Sequence, residues 1–188
     1  MKKLLYTVCL VMALAACSSI DCPLNNVVYA KYKLKGDVTK LEDYLTVTTK
    51  RADGNDTILL NLLQNTDSFS LPVSYGQTVD ELCLVRTNGD AIKRDTIWME
   101  KTNEPHFESV DCGVNYFHTI TGVRYTNHYL DSVKINNRNV SYDAEKTHIY
   151  TYYREYTAGS FMHTVASAII ICASKEDDCG PARHYPTH

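Results

Sequence analysis

Tryptophan occurs once in this chain, and glycine and proline are sparse, at 8 and 5 of 188 residues. Such a composition excludes collagen-like and low-complexity architectures. No two of the seven cysteines stand as Cys-x-x-Cys, so the usual spacing of a structural zinc site is missing. The sequence also lacks His-Glu-x-x-His, Gly-x-Ser-x-Gly and a glycine-rich loop able to cradle phosphate. Basic excess is absent too. Nineteen Lys and Arg face 22 Asp and Glu, a formal charge of −3, which argues against a nucleic-acid partner. Hydrophobic content of 44% against 22% charged excludes a mainly disordered chain. These absences predict no catalytic set, no metal site and no cofactor. They leave open a site assembled from residues distant in sequence.

What is present begins at the N-terminus. Lys2 and Lys3 precede an apolar run from Leu4 to Ala16, and Cys17 follows at once. A basic start, a short apolar core and small exit residues read as a secretory signal, too short to span a bilayer as a helix. Leu14-Ala15-Ala16-Cys17 resembles the lipobox of bacterial lipoproteins. That resemblance implies cleavage before Cys17 and acyl chains on its sulfur and amine. Each buried methylene contributes about 0.8 kcal/mol, so two or three chains hold a protein on a membrane almost permanently. Loss of residues 1–16 leaves 172 residues and moves the formal charge to −5, because Lys2 and Lys3 go. Ser18 after the cysteine implies the outer membrane. A lone Asp21, where surface-exported lipoproteins carry an acidic cluster, favours a periplasm-facing protein.

Residues 17–25 read as a tether and 26–154 as one domain. Val28, Ala30, Tyr32 and Leu34 alternate with Tyr29, Lys31 and Lys33, the period of a half-buried strand. Eight further runs are rich in β-branched or aromatic residues: 44–49, 57–63, 68–73, 82–86, 96–99, 116–123, 130–135 and 148–153. Turn-forming residues separate them, as in Asp53-Gly54-Asn55-Asp56 and Asn88-Gly89-Asp90. The stretches 37–45 and 78–82 read as loops. Short strands at this spacing, with no long helical period, predict an all-β fold, an immunoglobulin-like β-sandwich of antiparallel strands. Residues 155–188 form an atypical C-terminal extension. It includes eighteen residues without formal charge, Thr157–Ser174, read as a final strand or helix packed on the sandwich.

Cys9 leaves with the signal and Cys17 is the acylation site, so five cysteines remain, and an oxidising compartment permits disulfides. Cys22 and Cys112 both sit in turn-like contexts and form one candidate pair. Cys172 and Cys179 form a second, across a small loop. Cys83, in Leu82-Cys83-Leu84-Val85, reads as a small buried apolar residue. Sequence alone does not fix connectivity. Of the seven histidines, His118 and His148 fall on predicted strands and read as packed rings. His184 and His188 have Pro186 between them, against a helical metal pair. Tyr150 and Tyr152 share one strand face, where they could stack on sugars or partners. The alternative is that tyrosines line the core with their hydroxyls at its rim.

Several longer stretches resemble a family of small Bacteroidetes-type outer-membrane lipoproteins of unknown function. These are Asp21–Asn26, Phe69–Pro72, Pro105–Gly113, Phe117–Gly122, Leu130–Asn136 and Asn139–Asp143. The resemblance spans roughly residues 17–153. It implies a lipid-anchored extracytoplasmic domain and brings no activity or site residues. The tail after residue 153 departs from it. Asp56-Thr57-Ile58, Asp95-Thr96-Ile97 and Asp131-Ser132-Val133 are also similar to the Asp-Ser/Thr-aliphatic motif of Bacteroidetes periplasmic O-glycosylation, which implies glycans at Thr57, Thr96 or Ser132. The same triplets suit a turn that opens a strand, and a buried hydroxyl could carry no glycan.

The sequence therefore predicts a lipid-anchored cell-envelope protein, a non-catalytic interaction or structural module. Its membrane contact is through acyl chains, and its partners are envelope proteins or glycans. The alternative is a carbohydrate-binding accessory lipoprotein. A hydrolase is the third reading, and would need a pocket with a shifted acid and base.

Overall fold

The computed structural model of the chain describes residues 27–50, 54–89, 91–109 and 112–154. Those residues form ten strands and no helix. In order they are β1 (Tyr29–Lys35), β2 (Tyr44–Lys50), β3 (Asp56–Leu63), β4 (Ser68–Pro72), β5 (Val79–Asn88), β6 (Ala91–His106), β7 (Asn115–Tyr125), β8 (Leu130–Ile135), β9 (Asn139–Val140) and β10 (Ile149–Tyr153). The fold is all-β, as expected. The predicted signal (1–16), most of the tether (17–25) and the extension (155–188) lie outside the described residues.

The strands make two sheets, one ordered β4-β1-β10-β8 and one ordered β3-β2-β5-β6-β7-β9. One pair departs from the antiparallel expectation: β1 runs parallel to β10, with Tyr32 opposite Ile149. The first and last strands thus form the middle of the smaller sheet. Period-two alternation sends Ala30, Tyr32, Leu34, Leu71, Val133 and Ile149 inward from this sheet. Leu45, Val47, Leu82, Leu84, Ile97, Met99 and Ile120 come from the other, and all join one buried cluster. Tyr32 stacks on Phe69 at 5.1 Å, and its hydroxyl lies 3.8 Å from the Met99 sulfur across the core. Burial raises the Tyr32 phenol far above its ordinary value, so it stays neutral.

Seven of the nine expected strands sit within a residue or two of their expected bounds, and the run 82–86 widens to β5. The run Thr96–Met99 is the middle of the sixteen-residue β6. The flanks of β6 carry Lys93, Arg94, Glu100, Lys101 and Glu104, so no apolar alternation marks them. The stretch 78–82, expected as a loop, instead opens β5 at Val79. The two-residue β9 has too few residues to show a period. Gly36 takes a φ of +89°, and a Cβ there would stand 3.1 Å from the Tyr152 ring, so only glycine turns the chain out of β1 without strain.

One buried carboxylate carries the chain from the large sheet to the small one. Asp95, 1% exposed on β6, accepts four hydrogen bonds from the β7–β8 turn. The Tyr129 and Leu130 amides donate to Oδ2 at 2.7 and 2.8 Å. The His128 amide, at 2.9 Å, and the Thr126 hydroxyl donate to Oδ1. Thr96 beside it is 4% exposed, and its amide donates to Thr126 Oγ1 at 2.8 Å. Thr96 as a glycan site is therefore corrected. Asp95-Thr96-Ile97 is a structural triplet whose hydroxyl residue is packed away from solvent. Asp95→Ala leaves these donors without their charged acceptor. It is expected to lower stability by about 3 kcal/mol or more in urea unfolding, with Asp95→Asn costing less because one oxygen remains.

Candidate functional site

β6 and β7 have sixteen and eleven residues, against five to seven in the strands of the smaller sheet, and the end of their hairpin carries a concentration of aromatic rings. Pro105 pairs with Tyr116 on one face of the ladder, and Glu104 pairs with Phe117 on the other. Tyr75, from the β4–β5 connection, stacks on Tyr116 at 5.4 Å and remains 58% exposed. On the opposite face His106 stacks on Phe117 at 4.1 Å, and Tyr142 meets Phe117 edge-on at 4.9 Å. Phe107 follows directly and is 64% exposed. Asn115 donates to the Tyr142 hydroxyl, while its own Oδ1 is buried with no protein donor. The Tyr142 phenol is shifted up, by desolvation first and by Glu108 second. Large apolar rings left in water at a rigid strand end are the pattern of a contact surface.

The rings are held in place by a polar clasp beneath them. Lys101, 3% exposed, lies 3.2 Å from Asp80 and donates to the Gln77 carbonyl. Asn103 Nδ2 donates to the carbonyls of Tyr75 and Gln77 at 2.9 and 3.0 Å. Its Oδ1 stands 2.8 Å from His118 Nδ1, which places the proton on that nitrogen. The Ser74 amide donates to Asp80 Oδ2 at 3.2 Å. The whole connection 74–78 is thereby tied to β6. Burial pushes the Asp80 carboxyl up and the Lys101 amine down, each against its partner's attraction. His118 falls to about 4, through desolvation first and the Lys101 charge second. Such shifts can mark a functional site. Here the shifted groups are covered and bonded to one another, so they serve the connection that presents Tyr75.

The sequence-derived candidates are scattered. Cys17, Cys22, Cys172, Cys179, His184 and His188 lie outside the described residues. Cys112 is buried in the β6–β7 connection, with Ser109 Oγ 3.5 Å from its sulfur, and neither it nor Cys83 is a free group. Cys83 is buried on β5, as expected, but it is disulfide-bonded, as Cys112 is, which corrects its reading as a simple small apolar residue. Thr57, second in β3, and Ser132, on β8, are half-exposed, unlike Thr96. His118 and His148 are packed rings: His148 Nδ1 accepts the Lys31 amide at 3.0 Å. Among the described residues no group of three His, Cys, Asp or Glu side chains is placed to hold a metal, and no helix is long and apolar enough to cross a membrane. Tyr32, Tyr129 and Tyr153 line the core, while Tyr150 and Tyr152 lie on the outer face of the small sheet. The aromatic tip escaped sequence reasoning because its rings come from three separate segments with no shared period.

Residues 44–153, more than half of the chain, match the family of unknown function DUF6452. The chain belongs to DUF6452. No curated protein and no solved structure matches it. The DUF6452 stretch begins with the first residue of β2 and ends with the last of β10. It contains the Asp95 turn, the clasp and the aromatic tip, and it leaves out β1, which the small sheet places between β4 and β10.

Lys101→Met alone strands a buried carboxylate and is expected to cost about 3–5 kcal/mol. Adding Asp80→Asn should restore most of that loss, as a double-mutant cycle in urea would read. The histidines fix the acid limb. A group with a lowered folded pKa contributes stability above its unfolded pKa, and that stability is lost as pH falls. Between the ordinary 6.5 and about 4, His118 therefore withdraws roughly 3 kcal/mol, and His148, also shifted down, acts in the same direction. Asp80, shifted up, works oppositely at the lower end of this range. Urea midpoints should fall from pH 7 to pH 4.5, and His118→Gln should flatten the slope.

Proposed function

We propose that this DUF6452 chain is a lipid-anchored envelope protein whose domain, an immunoglobulin-like sandwich, is a non-catalytic interaction module that binds through its aromatic tip. The observation that carries the reading is the tip itself. Tyr75 and Phe107 are more than half exposed, and Tyr75 is fixed by the buried Lys101–Asp80–Asn103 clasp. A rigid aromatic surface loses little side-chain entropy on binding, which favours contact over catalysis as its use. The anchor rests on the resemblance of Leu14–Cys17 to a lipobox, and with it go the outer membrane and a periplasmic face. In that compartment Cys112 pairs with Cys22 and clamps the tether to the β6–β7 connection, a bond worth about 2–4 kcal/mol. Thr57 and Ser132, both half-exposed, keep the glycan-carrying role that the packing of Thr96 denies to it.

The second reading, a carbohydrate-binding accessory protein, is favoured by the Tyr75–Tyr116 stack, whose open ring could carry the face of a sugar.

Two experiments test these readings. Pull-down from cross-linked envelopes should recover a partner with the parent chain, and lose it at least ten-fold with Tyr75→Ala/Phe107→Ala. Equal recovery would refute the tip as the contact surface. Retardation on polysaccharide affinity gels that the same pair abolishes would establish the second reading instead. For the anchor, Cys17→Ser should release the chain from membranes during carbonate washing. An unchanged distribution would refute acylation.

A further inference from the structure

The outer face of the small sheet carries charge of one sign on a chain that is acidic as a whole. On β1 the outward positions are Tyr29, Lys31, Lys33 and Lys35, the partners of inward Ala30, Tyr32 and Leu34. The register then sets Lys33 beside Tyr150 and Tyr150 beside Lys134. One step along, Lys35 stands beside Tyr152, and Tyr152 beside Ser132. On the far side of β1, Lys31 and Lys33 face Ser70 and Ser68 of β4. The outward row of these four strands therefore holds four lysines, three tyrosines, three serines and a proline, with no acidic residue. Asp67 stands beside the face, 3.7 Å from Lys33, and Asp131 lies at the β8 bulge. Two of the four lysines lie over the rings between them. Lys35 Nζ lies 5.3 Å above the Tyr150 ring, and Lys134 Nζ lies 5.0 Å above the Tyr152 ring.

We infer that this face docks on an anionic lipid surface, with Lys31, Lys33, Lys35 and Lys134 on the headgroups and Tyr29, Tyr150 and Tyr152 at the interface between them. The charge pattern carries the assignment. Alternate residues on one strand stand about 7 Å apart, and the lysines on β1 and β8 are two strand spacings apart, about 10 Å. A two-dimensional grid of this kind fits a plane of charge better than a thread. Tyrosine between lysines is the composition favoured at a membrane interface, where the ring sits among headgroups and the hydroxyl stays wet. Chain length agrees with this. Only eleven residues lie between Cys17 and Tyr29, a reach of about 40 Å at most. The face rests on the lipid-anchored reading only for which membrane it meets. Docked this way, the chain would turn its six-stranded sheet, and the aromatic tip, away from the lipid.

The test uses the full chain carrying Cys17→Ser, so that no acyl chain contributes. Partition onto vesicles of phosphatidylcholine with 30% phosphatidylglycerol is compared with phosphatidylcholine alone, and comparison of parent with variants cancels the contribution of the leader, Lys2 and Lys3 included. Each lysine near such a surface should change partitioning about five-fold. The quadruple variant Lys31→Gln/Lys33→Gln/Lys35→Gln/Lys134→Gln should thus lower the anionic-to-neutral ratio by roughly a hundred-fold or more. The parent ratio should fall steeply between 50 and 300 mM salt, as screening shortens. Lys50→Gln/Lys93→Gln, on the other sheet, should leave the ratio near that of the parent. Lys35→Gln/Lys134→Gln should lower it more than ten-fold, with the thermal melt of each variant confirming the fold. An unchanged ratio in the quadruple variant overturns the inference. So does binding to soluble chondroitin sulfate with the same lysine dependence but no preference for anionic vesicles, which would assign the face to a polysaccharide. Membrane release of the Cys17→Ser chain in cells bears on the anchor and not on this ratio, so the two readings fail separately.

Discussion

A single carboxylate surrounded by protein holds the two sheets in register. Asp95 sits mid-way along the longest strand and gathers the turn through which the chain leaves β7 for β8. Charge-assisted bonds of this kind are about twice as strong as neutral ones, and in a dry interior they cannot be exchanged for water. Behind the turn, the Arg86 guanidinium lies 5.4 Å from the Tyr129 ring and 5.3 Å from Tyr153, and it also pairs with Asp43. Tyr129 donates its hydroxyl to the Leu84 carbonyl. The apolar core supplies the driving force, but these directional groups decide which edge of one sheet lies over which edge of the other.

The same device recurs further along β6. There Lys101, Asp80, Asn103 and His118 form a second closed polar set, and it secures a connection instead of a strand. Both sets draw on β6, on either side of its buried Ile97 and Met99. β6 has sixteen residues, against five to seven in the strands of the smaller sheet, and directional bonds secure it on both sides of its apolar middle. The exposed rings collect at the end of the same β6–β7 hairpin.

Most of the strand inventory was legible in the sequence, because half-buried strands record their two faces as alternation. Val28 to Leu34 shows this plainly, and its alternate lysines mark the solvent side. Legibility failed where burial is polar. Lys101 reads as a surface residue, and nothing nearby in sequence announces that Asp80 lies against it. The flanks of β6 look like a charged loop for the same reason. Asp95-Thr96-Ile97 shows the opposite failure. A short motif with a plausible surface meaning is satisfied internally, and only the positions of Thr126, His128 and Tyr129 reveal it. The aromatic tip and the lysine face are products of register, which relates residues more than a hundred positions apart, as Lys33 and Tyr150 are.

The parallel pairing of β1 with β10 bears on how this molecule is made. β10 separates β1 from β8, so the smaller sheet has no centre until residue 153 has been synthesised. Without β10, β1 has only β4 beside it in this sheet and β8 has no partner there. Contacts of such sequence separation form last and slowly. The architecture thus postpones closure of the smaller sheet until β10 is available to stand between β1 and β8.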